Sequence, residues 1–362
     1  MSASSKDIAG SIPPPPKVEP GFRVVAIGGG TGLSTLLKGL KQFVAVTGDC
    51  ASIRAYISQL SAVVTVSDDG GSSGKLRKEF NVLAPGDVRN CIVALSEDEA
   101  LLSRLFQFRF EGRSALAGHS FGNLFLTALN QMTGDFATAV KLSSAVLKTR
   151  GTIFPATTAN AQLEAVMHDG TCVRGETEIS ASSKRVVELR MLPADAQPMP
   201  QTLEAIAKAD LITVGPGSLF TSLICNLLVR GIPEAISASP ALKVYVCNLM
   251  TEANESLGLT AADHIRTIYK HAGFPIFDYA LVNRQFVSEE LTAKYAQEGA
   301  CQIGLDVDEI AALGVTPLLG DFLSEDGVAR HATDRVAAEL MRLLVARRVQ
   351  ARATRTANAP NQ

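Results

Sequence analysis

Three glycine-rich segments constrain this chain most: Gly28-Gly29-Gly30-Thr31-Gly32, Asp68-Asp69-Gly70-Gly71-Ser72-Ser73-Gly74 and Gly215-Pro216-Gly217-Ser218. Each sits between a short β-branched run and a helix-like run. After a strand, glycines let the chain turn sharply with its amides exposed, and the following helix presents unpaired N–H groups and a positive dipole end to an anion. Three such loops at the strand ends of one sheet would converge on a single crevice. The pattern therefore predicts a phosphate-rich ligand.

The intervening residues supply the sheet. Val24 to Ile27 reads as a buried strand, and Leu33, Leu36, Leu37 and Leu40 then recur at helical spacing. Ala62 to Val66 is a second strand, and Pro85-Gly86-Asp87 opens a helix carrying Val88, Ile92, Val93 and Leu95. The helical pattern returns from Phe121 to Leu147. Thr152 to Phe154, Cys172-Val173 and Arg185 to Leu189 are short strand-like pieces separated by turn residues, so Gly151 to Pro200 is expected as a small β-rich insert. Alternation resumes with a helix at Leu203 to Ala209, a strand at Leu211 to Val214, the third glycine loop and a helix through Leu228. Val244 to Val246 and Tyr279 to Val282 are further strands, and Ala337 to Arg347 a closing helix. The predicted fold is α/β, a Rossmann-like parallel sheet with helices on both faces. Its core runs through residues 21–150 and 201–348, with the insert at 151–200. The Pro-rich residues 1–20 and the tail 349–362 are expected to be disordered.

Charge and composition exclude several function classes. Lys and Arg number 34 against 36 Asp and Glu, so the net charge of −2 leaves no footprint for nucleic acid. No window approaches the roughly 20 apolar residues of a membrane span. The first residues contain Pro13 to Pro16 and no apolar signal-peptide core, and a cytoplasmic location is expected. The six cysteines form no CxxC pair and no zinc spacing, which reads as free thiols in a reducing compartment.

Several motifs fail on inspection. Gly28 to Gly32 lacks the GxGxxG spacing, so no NAD or flavin is expected, and no zinc either. Gly70 to Lys75 imitates a P-loop, but Asp69 replaces its first glycine and Leu76 its Mg²⁺-binding hydroxyl. Ser72 to Lys75 matches SxxK without the Lys-Thr-Gly partner of penicillin-recognising enzymes. Gly118-His119-Ser120-Phe121-Gly122 fits the GxSxG nucleophile elbow, as does Gly70 to Gly74, yet no strand runs directly into Gly118. The competing use of His119, Ser120 and Asn123 is to point hydrogen-bonding groups at a ligand from a helix start, or to cap that helix. Asp68 and Asp69, with Asp87, are candidates to hold Mg²⁺ against phosphate oxygens, the alternative being helix caps. Arg89 offers a planar fork for an oxyanion beside Asn90, or pairs with Asp87.

Read in series, the motifs resemble the gluconeogenesis factor family, related to 2-phospho-L-lactate transferase. They are Ile27 to Leu33, Thr65 to Gly74, Pro85 to Asn90, Gly118 to Leu124, Gly215 to Ser222, Val246 to Thr251 and Ala262-Asp263-His264, spread over about Arg23 to Leu343. The resemblance implies a nucleotide-diphosphate crevice binding UDP-sugars, notably UDP-N-acetylglucosamine. It also implies a regulatory role in cell shape and wall synthesis on gluconeogenic carbon, with wall-synthesis proteins as partners and a homo-oligomer as an open option. The alternative it implies is an active transferase moving a phosphate ester from a nucleotide donor, with Asp69 and Asp87 catalytic. The expected ligand contacts are Gly29, Gly30, Thr31, Gly32, Gly70, Gly71, Ser72, Ser73, Arg89, Asn90, His119, Ser120, Asn123, Gly215, Gly217, Ser218, Asn248 and Arg330. The expected metal ligands are Asp68, Asp69 and Asp87. The stretch Ala45 to Ser61 is longer than such proteins usually have, and Ala332 replaces an acidic residue after Arg330-His331.

Overall fold

The computed structural model describes residues 20–45, 55–97 and 101–357, with the side chains of 355–357 left aside. Seven strands form one parallel sheet: β1 (Phe22–Gly28), β2 (Ile57–Val64), β3 (Thr152–Pro155), β7 (Leu211–Val214), β8 (Leu242–Val246), β9 (Tyr279–Asn283) and β10 (Thr316–Gly320). Their order is β10-β9-β8-β7-β1-β2-β3, and every pairing is parallel. The chain steps outward from β1 through β2 and β3, then returns to β7 on the other side of β1 and steps outward again. Strand order thus reverses between β1 and β7, the place where an open α/β sheet leaves a crevice at its carboxyl ends.

β1 shows why this sheet is buried on both faces. Val25 and Ile27 join one apolar cluster and Val24 and Ala26 the other, so the two-residue strand period feeds two cores. Leu33, Leu36, Leu37 and Leu40 of helix α1 (Gly30–Lys41) seal the second cluster. Helices α2 (Gly71–Phe80), α3 (Gly86–Leu95), α4 (Leu101–Gln107), α5 (Phe121–Thr133) and α6 (Phe136–Val146) follow between β2 and β3.

The insert is a separate antiparallel sheet of β4 (Gln162–Met167), β5 (Cys172–Arg174) and β6 (Val186–Leu192), in the order β5-β4-β6, with helix α7 (Glu176–Ala181). Thr152 to Phe154, expected within it, instead forms the edge strand β3 of the main sheet, pairing Ile153 with Ala62. A two-stranded ribbon of β11 (Leu323–Glu325) and β12 (Ala329–His331) precedes the closing helix Thr333–Ala357. That helix runs past residue 349, where a disordered tail was expected; Leu340, Leu343 and Leu344 anchor its earlier turns.

β2 begins at Ile57, earlier than the apolar run at Ala62 suggests, because Ser58 and Gln59 occupy its exposed outer end. Most of the stretch from Ala45 to Ser61, Cys50 and residues 1–19 lie outside the described residues. No single helix among the described residues is long and apolar enough to cross a membrane. The bent pair Leu219–Leu227 and Ile232–Ala238, apolar enough when taken together, belongs to the core beside β7.

Candidate ligand cavity at the strand-order switch

Ile27 of β1 pairs with Val214 of β7, so the first and third glycine loops leave the sheet side by side. They pack backbone to backbone: a Cβ on Gly32 would lie 2.4 Å from the carbonyl oxygen of Pro216, so only glycine fits there. Asn248, at the end of β8, fixes the third loop by donating to the Gly217 carbonyl (2.8 Å) and accepting from its N–H (3.0 Å). Asn226 reaches back to donate to the carbonyl of Gly28 (3.2 Å). Behind the third loop, Glu255 accepts from the Phe220 N–H (3.0 Å) and the Thr221 hydroxyl (2.7 Å), which places a carboxylate at the start of the Leu219–Ile224 turn.

Between these loops lies a cavity of about 360 Å³. Of the residues expected from the sequence, Gly29, Gly30, Thr31, Gly32, Asp87, Gly217, Ser218, Asn248 and Arg330 line it. Glu176, Glu252 and Tyr295 are among the further residues that line it without having been anticipated. Glu176 arrives from the insert, at the first turn of α7, and Glu252 follows the Asn248 to Thr251 motif. His331 also lines the cavity; burial lowers its pKa to about 4, so it is neutral and its Nε2 donates to the Cys247 carbonyl (3.0 Å).

The other expected contacts do not line this cavity. Gly215 turns the chain at the strand end, where a Cβ would strike the carbonyl oxygen of Val246 at 2.6 Å. Asp69 faces the insert: its Oδ1 accepts from the N–H (2.8 Å) and hydroxyl (2.7 Å) of Thr177 in α7. Asp68 Oδ1 accepts from the Gly70 N–H (2.8 Å). Gly70, Gly71, Ser72 and Ser73 begin α2, while Arg89 and Asn90 begin α3 and His119, Ser120 and Asn123 begin α5. These side chains gather into a second polar cluster. There Ser72 Oγ lies 3.0 Å from His119 Nδ1, and Arg89 donates to Asn90 Oδ1 (2.8 Å). Ser120 is fully buried as the N-cap of α5, accepting from the Asn123 N–H (3.2 Å), which is no posture for an esterase nucleophile. Arg77 went unremarked in the sequence. It straps this region to the insert through the carbonyls of Ser67 (2.8 Å) and Ala161 (2.7 Å) and the Asn160 side chain (2.7 Å).

Carboxyl groups crowd the cavity. Burial, with repulsion from Asp68, outweighs the Gly30 amide and Arg89 and raises Asp87 to about 6. Burial together with Asp68 and Asp87 raises Glu176 to about 9, and burial with Glu255 raises Glu252 to about 7. Glu176 Oε2 is buried without a hydrogen-bond partner. Among the described residues no three His, Cys, Asp or Glu side chains are grouped to hold a metal ion.

The 2-phospho-L-lactate transferase family model, CofD, matches residues 24–323. The chain belongs to that family. It is 46% identical over 319 residues to the gluconeogenesis factor of Halalkalibacterium halodurans, spanning 88% of this chain and 95% of that one. It is 42% identical over 323 residues to the gluconeogenesis factor of Bacillus subtilis, spanning 89% and 98%. A crystal structure of a Bacillus halodurans protein superposes with a TM-score of 0.83 at 45% identity, covering 89% of this chain and all of that one. The matched residues include all three glycine loops and β8, while Arg330 and His331 fall just beyond them.

Proposed function

We propose that this protein is a gluconeogenesis factor that binds a UDP-sugar, UDP-N-acetylglucosamine, in the cavity between β1 and β7 and regulates cell shape and wall synthesis through its occupancy. The observation that carries the reading is the paired glycine wall at the strand-order switch. The first turn of α1 has no side-chain cap, so the Thr31 and Gly32 amides face the cavity beside Gly30, whose amide meets Asp87, and the cavity's volume suits a nucleotide-sized ligand. Arg330 at the mouth supplies a guanidinium for a phosphate, and Tyr295 a ring face for a base or sugar. The gluconeogenesis factor relatives supply the biological setting.

The carboxyls must be reconciled with a diphosphate. Mg²⁺ commonly uses one or two carboxylates and takes its remaining ligands from phosphates and water. Asp87 fits that demand because it lines the cavity, whereas Asp68 and Asp69 do not, and each has its Oδ1 engaged, by the Gly70 N–H and by Thr177. A bound Mg²⁺ would neutralise charge between the Asp87 carboxylate and the phosphates. A transferase reading is favoured by the position of Asp87, a carboxyl in the cavity wall whose pKa burial raises, which suits a base for an acceptor hydroxyl.

Calorimetry with UDP-N-acetylglucosamine tests the proposal, since a ligand held only by the folded state at about 100 times its Kd adds about 2.7 kcal/mol of stability. A shift with another nucleotide class and none with millimolar UDP-sugar refutes the uridine assignment. Release of UMP or UDP with transfer to an acceptor, seen by mass spectrometry, moves the protein to the transferase reading.

A further inference from the structure

The polar cluster at the starts of α3 and α5 has a use that the cavity does not explain. Arg89 is only 9% exposed, and it makes no ion pair among the described residues. Its chain lies across the first turn of α5, where a Cβ on Gly122 would come within 2.8 Å of Arg89 Cδ. The Nη2 atom is satisfied by Asn90, whereas Nε is buried with no partner at all. Asp87 and Asp68 act on this guanidinium only through space, and a second guanidinium, Arg109, opposes them.

Next to Gly122, Asn123 is 2% exposed and its Oδ1 is likewise buried without a partner. His119, 6% exposed, meets Ser72 through Nδ1. An unpaired buried donor on a charged group is expensive, and so is a buried cation facing another cation. Both costs are offset when an oxyanion occupies the cluster.

We propose that Arg89, His119 and Asn123 form a second oxyanion subsite, separate from the glycine-walled cavity, that takes the phosphate monoester of a second ligand. The orphan atoms define the chemistry. Arg89 Nε requires an acceptor and Asn123 Oδ1 requires a donor. A monoprotonated phosphate offers both on one group, while a carboxylate offers acceptors only. Asp87 lines the cavity and also acts on Arg89, so the two sites share a wall. A nucleotide in the first and a phosphate ester in the second would face each other across that carboxylate. The subsite rests on the proposed function only in assigning the nucleotide to the other cavity.

The test uses inorganic phosphate as the probe, titrated into the full chain in EDTA, with and without saturating UDP-N-acetylglucosamine. Parallel titrations use Arg89→Lys, which keeps the charge and loses the planar fork, and Asn123→Asp, which is isosteric and repels an anion. The expected result is phosphate binding that persists with the nucleotide present and weakens by about tenfold or more in both variants, while UDP-sugar affinity stays within about twofold. Phosphate binding that the UDP-sugar abolishes, or that both variants leave unchanged, overturns the proposal. Acetate binding as tightly as phosphate overturns the phosphoryl assignment. Should UDP-sugar fail to bind, the proposed function falls, and the variants titrated with phosphate alone still decide the subsite.

Discussion

The glycine-walled cavity and the Arg89 cluster lie on either side of Asp87 yet are built by opposite means. The cavity is made by removing side chains, so that two loops from neighbouring strands touch through their backbones, with Asn248 and Asn226 tying them down. The cluster is made by burying side chains, two of which, Arg89 and Asn123, have an atom left unpaired. A backbone wall recognises the shape and charge of a phosphate chain and tolerates few substitutions. A side-chain cluster leaves more room for specificity to change by single replacements.

Gly32→Ala is the most severe way to break this contrast. Its Cβ would strike the Pro216 carbonyl, so the loops must part, with UDP-sugar affinity falling by about tenfold or more and stability by about 1–3 kcal/mol. Calorimetric titration and a melting curve read both. Retained affinity would mean that the loops do not form the wall.

Next in size is the metal dependence of binding. Asp87→Asn should remove most of the Mg²⁺-dependent tightening of UDP-sugar binding, while Asp69→Asn should retain it and loosen the contact with Thr177. Titrations of wild type and both variants in Mg²⁺ and in EDTA separate the two aspartates. Equal affinities throughout would leave the loop amides and Arg330 as the whole phosphate cradle.

A smaller effect concerns pH. Folding raises Glu176 to about 9, so the folded chain keeps a proton that the unfolded chain releases above about pH 4.3. That contribution to stability is complete below the unfolded value and is lost as pH climbs toward 9. Glu176→Gln does not titrate there, so its Tm relative to wild type should rise from about pH 5 to about pH 9. A constant difference across that range would show that Glu176 is charged and partnered in the folded protein.

The smallest change is expected at Ser120. Ser120→Ala should cost about 1 kcal/mol through loss of the α5 cap, and a serine-reactive fluorophosphonate should leave the wild-type residue unlabelled. Stoichiometric labelling would contradict its role as a cap.

Legibility followed the same division. β-branched runs and glycine loops exposed the sheet, and with it the part of the cavity built from Gly29 to Gly32 and Gly217, because both are local signals. The insert hid its contribution. Nothing local to Glu176 announces that α7 folds back on Asp69, since that contact spans more than a hundred residues of chain. The place of Asp69 in its loop was readable, and its partner Thr177 was not. Arg89 beside Asn90, and His119 with Ser120 and Asn123, were visible as two polar sets, but their meeting, and their separation from the cavity, depends on the packing of three helix starts. Thr152 to Phe154 looked like insert because strand pieces carry no label for the sheet they join.

The most direct test of the account is a crystal structure with UDP-N-acetylglucosamine and Mg²⁺. It should place the diphosphate against the first turn of α1 at Thr31 and Gly32 and against Ser218, with Arg330 at the mouth and the Ser72, Arg89 and His119 cluster free of nucleotide. A nucleotide seated on that cluster, with the glycine loops untouched, would contradict it.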